Sequence, residues 1–169
     1  MAVQIRGGNA LNYRGDVLLL FHPSDARPLT GTLALLDWRC NAAVSHLWKR
    51  KPDLFRFGQL TVLASGHKVP TEKVILTGLG PGKNFSQDMR REAYRLALDA
   101  SVKLGGGKVA VEGIPLSGSQ DRGILEDLMT AARPYLEEGK LSLSLFSTDK
   151  DLISSLREED GLKASSTGK

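Results

Sequence analysis

The sequence predicts an α/β protein: a mixed, largely parallel sheet flanked by helices on both faces, making three layers. Three observations predict it. The runs Val17-Leu18-Leu19-Leu20-Phe21 and Val74-Ile75-Leu76 are apolar without alternation, as strands buried on both faces are. Segments with apolar residues at helical spacing come between and after such runs, so strand and helix patterns alternate along the chain. Gly and Pro clusters such as Gly78-Leu79-Gly80-Pro81-Gly82 and Gly105-Gly106-Gly107 punctuate the change from one pattern to the next.

The bounds agree with that class. A chain of 169 residues with 41% hydrophobic and 25% charged residues has a globular composition and the length of one domain. Residues 1–160 are expected to form that domain, and the small polar residues of 161–169 a disordered tail. No apolar run approaches the roughly 20 residues that span a bilayer, and the N-terminus has no signal-peptide core, so a cytoplasmic location and no membrane partner are expected. The lone Cys40 excludes an internal disulfide and a Cys-only zinc site. The net charge of +4 hides an asymmetry: residues 1–110 hold 16 Lys and Arg against 8 Asp and Glu, residues 111–169 hold 7 against 11. A basic N-terminal part leaves nucleic-acid binding open, although charges spread along helices are also ordinary solvated surface.

In chain order, the first strand expected is 16–21, bounded by Gly15 and by His22-Pro23-Ser24-Asp25. Thr30 or Thr32 then caps one helix or two shorter ones carrying Leu33, Leu36, Ala43, Leu47 and Trp48, closed by Lys49-Arg50-Lys51 and stopped by Pro52. A strand over 59–64 follows, and the strand after Pro70 reads as the central one. The helix 86–104 has Met89, Ala93, Leu96, Ala97, Ala100 and Leu104 on one stripe, with Asp88, Arg91, Glu92, Arg95, Asp99 and Lys103 interleaved opposite. Lys108-Val109-Ala110-Val111 is the next strand. The polar run Ser117–Arg122 precedes a helix bearing Leu125, Leu128, Met129, Ala132 and Leu136, which Pro134 should shorten or kink. Leu141, Leu143, Leu145 and Phe146 make a strand whose near alternation suggests an edge, and a short helix over 149–157 ends the pattern.

The search for chemistry centres on the glycine turn after Ile75-Leu76-Thr77. Glycines at the carboxyl end of a buried strand let backbone N–H groups approach an anion, so Gly78, Gly80 and Gly82 are the candidate ligand-binding residues. Neither phosphate motif completes. The Walker pattern meets Thr77 and Asn84 where it needs Gly and Ser or Thr, and the dinucleotide pattern meets Lys83 where it needs its third Gly. A tight turn stiffened by Pro81 is the competing explanation. No catalytic residue is singled out. His22, His46 and His67 lie in separate elements with no metal spacing, Ser117 and Ser119 lack the nucleophile-elbow order, and carboxylates such as Glu112 and Asp121 show no spacing that favours pairing. No cofactor and no metal are expected.

The run Val74-Ile75-Leu76-Thr77-Gly78-Leu79-Gly80, the helix containing Arg90-Arg91-Glu92 and the strand Lys108-Val109-Ala110-Val111 resemble the N-terminal domain of the cytosolic leucyl aminopeptidases, over roughly residues 12–150. The resemblance implies a macro-domain-like fold. In that family the two-zinc site and its catalytic Lys and Arg lie in a separate C-terminal domain with an Asn-Thr-Asp-Ala-Glu-Gly-Arg motif that this sequence does not contain. The resemblance therefore implies a stand-alone, non-catalytic binding or assembly module, with a homo-oligomer or protein partner. Its alternatives are nucleotide or ADP-ribose-like ligand binding, as in macro domains proper, and DNA binding through the basic N-terminal part. The segment Asn41-Ala42-Ala43 is similar to the macro-domain Asn-Ala-Ala-Asn loop, but Val44 departs from it and a helix interior is the expected setting. Trp38, Trp48, Phe55 and Phe57 are the candidates for an apolar patch that a partner covers.

Overall fold

Six strands line up in one sheet because the apolar runs have two sides to bury. The computed structural model describes residues 3–116, 123–147 and 150–166, and side chains as far as residue 158. The strands are β1 (Val3–Gly7), β2 (Val17–His22), β3 (Leu60–Ala64), β4 (Lys73–Gly78), β5 (Lys108–Glu112) and β6 (Ser142–Ser147), in the spatial order β1-β6-β5-β2-β4-β3. All neighbours are parallel except β3, which runs antiparallel to β4. The mixed, largely parallel sheet is thus as expected.

The helices are α1 (Gly31–Arg39), α2 (Ala43–Arg50), α3 (Gln87–Lys103), α4 (Gly123–Glu137) and α5 (Lys150–Ser166). Alternate residues of each strand feed opposite layers. Leu18, Leu20, Val74 and Leu76 pack with Leu33 and Leu36 of α1 and with Val44 and Trp48 of α2. Val17, Leu19, Ile75, Val109 and Val111 pack with Ala93, Tyr94, Ala97 and Leu98 of α3, with Leu125 and Leu128 of α4 and with Leu152 and Leu156 of α5. The α3 boundaries follow from its ends: Ser86 accepts the Met89 N–H (3.3 Å), Asp88 lies in the first turn and Lys103 in the last.

Several expectations are corrected. Strand β1 was not read from the sequence, and it displaces β6 from the edge: Val3 and Ile5 register with Leu143 and Leu145, so β6 lies between β1 and β5 and is buried from Leu143 to Phe146. Strand β4 is not central, since only β3 separates it from the edge; β5 and β2 hold the middle. Pro134 neither ends nor shortens α4, which continues through Glu137, with the Glu138 N–H reaching the Pro134 carbonyl (3.3 Å). Helix α5 is longer than expected and takes in residues 161–166 of the expected tail; residues 167–169 lie outside the described residues, as does the polar run 117–122.

The segment after α1 is two helices, and Asn41 and Ala42 form the bend between them rather than a helix interior. Both adopt positive φ (55° and 61°), and the buried Asp37 of α1 caps α2, accepting the Ser45 N–H (3.0 Å) and hydroxyl (2.6 Å). Of the four candidate patch residues, Trp48 and Phe55 are buried and stack edge-on at 4.8 Å, while Trp38 is 76% exposed. Of the basic residues, Arg6, Arg14 and Lys108 line a groove beside β1 and β6, and Lys49 and Arg50 end α2.

Candidate functional site

Strands β2 and β5 are adjacent and parallel, but the helices that follow them go opposite ways: α1 to one layer, α4 to the other. Chain segments that part at the carboxyl ends of neighbouring strands leave a crevice between them. A cavity of about 350 Å³ occupies that position, bounded by the ends of β2 and β5, the turn after β4 and the N-terminus of α1. Phe21, Leu33, Leu79, Phe85 and Ile114 give it apolar and aromatic walls. Thr30, Gly31 and Thr32 bring the first turn of α1, and His22 and Glu112 are its ionisable lining groups among the described residues.

His22 is a wall rather than a reactive group. Its Nε2–H donates to the Ala26 carbonyl (2.9 Å), its ring stacks edge-on with Trp48 and Phe55, and burial lowers its pKa, so the neutral ring is the stable form. Arg27 lies over the Trp48 ring, with its guanidinium carbon 4.0 Å from the centroid.

Glu112 ends β5, half-buried, and its Oε1 accepts the Thr32 hydroxyl at 2.6 Å. Burial pushes its carboxyl up, and the Thr32 hydrogen bond only partly opposes this. The wall beyond it is held firmly. The Ile114 N–H donates to the Tyr94 hydroxyl (3.0 Å) and Arg90 Nη1 donates to the Ile114 carbonyl (3.2 Å), so α3 grips the segment after β5 by both of its backbone groups. Arg90 in turn donates through Nε to Asp127 Oδ2 of α4 (2.7 Å), and Asp127 Oδ1 accepts from Arg91 Nε (2.6 Å) and Gln87 Nε2 (3.1 Å). Burial would raise the Asp127 carboxyl, but these donors together hold it below its ordinary value.

The three glycines named from sequence are placed differently from one another. The Gly78 N–H donates to the Gln59 carbonyl (2.9 Å), the Gly80 N–H to the Phe55 carbonyl (3.0 Å) and the Gly82 N–H to Asp25 Oδ1 (2.9 Å). Gly78 is needed for backbone approach, because a Cβ there would lie 2.2 Å from the Arg56 carbonyl oxygen, and Gly80 for its φ of +68°. Gly82 is the one of the three that lines the cavity. Sequence reasoning did not single out Phe21, Phe85 or Thr32 as site residues, and it left Glu112 without a partner. The available signal was a carboxylate closing an otherwise apolar strand.

No family model matches the chain. A probable cytosol aminopeptidase of Synechocystis sp. is 35% identical over 107 residues, covering 60% of this chain and 22% of that protein. Among solved structures, the Trypanosoma brucei macrodomain in complex with ADP-ribose superposes with a TM-score of 0.72 at 18% identity, covering 93% of this chain and 68% of that one. A mutant tomato leucine aminopeptidase superposes with a TM-score of 0.66 at 15% identity, covering 92% of this chain and 34% of that one. The chain has a macrodomain-like fold and is similar in sequence to part of the cytosol aminopeptidases. It spans about a fifth of the length of the curated proteins it matches. Among the described residues, no group of three or more His, Cys, Asp or Glu is arranged to hold a metal ion, and no helix is long and apolar enough to cross a membrane.

Proposed function

We propose that the chain is a non-catalytic, cytoplasmic binding module whose cavity at the β2–β5 crevice receives a nucleoside-bearing ligand of the ADP-ribose type. The observation that carries this reading is the cavity itself. It lies where the chain segments part, and its volume of about 350 Å³ falls in the range of small-ligand sites. Phe21 and Phe85 supply aromatic surface for a flat base, and Thr32 and Glu112 supply polar groups that fix orientation. A macrodomain of similar fold holds ADP-ribose. Within the cavity the glycine turn contributes Gly82 at the rim, while Gly78 and Gly80 shape the turn behind it.

Two features favour binding over catalysis. The His22 Nε2–H is spent on the Ala26 carbonyl, and no Ser or Cys lines the cavity among the described residues, so no pairing of His with a Ser or Cys nucleophile is present there. Calorimetry with ADP-ribose tests the binding claim: saturable heat that Thr30→Trp abolishes at the cavity mouth supports it, and no heat with the unaltered chain overturns it. Incubation with an ADP-ribosylated peptide, and with a leucine amide plus zinc, manganese or cobalt, should leave both substrates intact. Turnover of either would refute the non-catalytic reading.

A second reading, assembly, is favoured by a different observation. Trp38 on the outer side of α1 is 76% exposed, and Val62 on the edge strand β3 is 48% exposed. A large aromatic side chain in water is what self-association or a protein partner would cover. Light scattering decides for self-association: a dimer or larger species that Trp38→Ser converts to monomer supports it, and a monodisperse monomer at high concentration removes it. Trp48 is unsuitable for this test because its substitution would open the core.

A further inference from the structure

Glu112 is a carboxylate with too few partners. Its Oε1 takes the Thr32 hydroxyl at 2.6 Å, and among the described residues no Lys, Arg or His forms an ion pair with it. An ionised carboxylate offers about four acceptor positions, and Thr32 fills one. The group stands at the end of a strand in the middle of the sheet, half-buried, and borders the cavity, where what it still lacks can be delivered.

We propose that Glu112, braced by Thr32, is the polar anchor of the cavity, reading neutral hydrogen-bond donors of a nucleoside rather than a phosphate. This rests on the reading of the cavity as a nucleoside site and says which part of the ligand goes where. Hydroxyl or amine hydrogens complete the acceptor positions of a half-buried carboxylate, and doing so relieves the cost of burying it. A phosphate in the same place would set two anions side by side in a poorly solvated crevice. Backbone N–H groups at the first turn of α1 remain open to an anion, so the preference against phosphate belongs to the Glu112 carboxylate itself and not to the whole crevice. The glycine turn does not offer phosphate a second cradle, because the Gly78, Gly80 and Gly82 N–H groups all have acceptors within the chain. Burial of the carboxyl, which raises its pKa, is consistent with a group waiting for donors.

The experiment is calorimetry on the full chain with adenosine, 2′,3′-dideoxyadenosine, purine riboside and pyrophosphate, for the unaltered protein and for Glu112→Ala, Glu112→Gln and Thr30→Trp. Adenosine should bind the unaltered protein, and Glu112→Ala should weaken it by roughly ten- to hundredfold, the loss of a charge-assisted hydrogen bond. Glu112→Ala should not weaken pyrophosphate binding. Whichever adenosine analogue binds as weakly to the unaltered protein as adenosine does to Glu112→Ala identifies the donor: the dideoxy compound for the ribose hydroxyls, purine riboside for the ring amine. The Glu112 side-chain carboxyl carbon signal should move on adding adenosine and stay still with pyrophosphate, a response that a purely structural carboxyl would not give. Glu112→Gln keeps an acceptor and the shape of the side chain, and serves where Glu112→Ala fails to fold by circular dichroism. Adenosine affinity unchanged in both Glu112 variants but lost in Thr30→Trp overturns the anchor and leaves the nucleoside site standing. No binding of adenosine or of ADP-ribose to the unaltered protein overturns both.

Discussion

Asp127 and Glu112 are both carboxylates taken out of water within one small protein, and their surroundings treat them in opposite ways. Asp127 is fully enclosed and receives donors from Arg90, Arg91 and Gln87; its carboxyl is held below its ordinary value of 3.8. Glu112 is only half-buried, receives one hydroxyl, and is pushed above its ordinary value of 4.5. The first is a finished network that ties α3, α4 and the segment after β5 together. The second is an unfinished one facing a cavity. The well-satisfied carboxylate is thus inside the packed structure, and the sparsely satisfied one borders the cavity.

Breaking the finished network should have the largest effect. Asp127→Asn removes the carboxylate charge that Arg90, itself 1% exposed, is paired with, and a loss of about 3–5 kcal/mol is expected in urea unfolding. Replacing both partners, Arg90→Met with Asp127→Leu, should cost much less than the single change, because no charge is then left buried alone. Tyr94→Phe is the next in size. It removes the acceptor of the Ile114 N–H, for which about 1–3 kcal/mol is expected, together with faster hydrogen exchange of that one amide.

Glu112→Gln should have the smallest effect on stability and the opposite sign, a slight gain at neutral pH. The pH dependence sharpens the contrast. Because the Asp127 carboxyl is depressed in the folded state, its contribution is present above the unfolded carboxylate pKa and is lost as pH falls through the folded value; the penalty of Asp127→Asn should shrink in acid. Because the Glu112 carboxyl is raised, its ionisation costs the folded state stability; the advantage of Glu112→Gln should be absent in acid, grow as pH rises through the carboxylate range and then level off. Unfolding free energies measured from pH 3 to 7 check both, and parallel curves for the two variants would remove the distinction.

The middle of the sheet was legible in the sequence because its strands are continuous apolar runs, and α3 was legible because its stripe and its Ser86 cap are local features. Strand β1 was not, since Val3 and Ile5 are only two apolar residues in five, alternating with Gln4 and Arg6, and their partners Leu143 and Leu145 are far along the chain. The error over β6 followed from that omission: an alternating strand looks like an edge until another strand covers it. The site was less legible than the fold. Glycines at 78, 80 and 82 announce a turn, but only the tertiary structure tells where their N–H groups point. Glu112 and Thr32 meet across 80 positions of sequence, a pairing that no spacing rule encodes.

The position of β1 has a consequence in time. Its one partner among the described strands is β6, so the first of the six strands in sequence bonds only with the last. Val3 must wait for Leu143, and at about 5–20 residues per second that delay is roughly seven to twenty-eight seconds. Throughout it Val3-Gln4-Ile5-Arg6 lack the strand they pair with. Their polar alternation then serves a purpose beyond the finished sheet, keeping a waiting strand soluble until the chain is long enough to claim it.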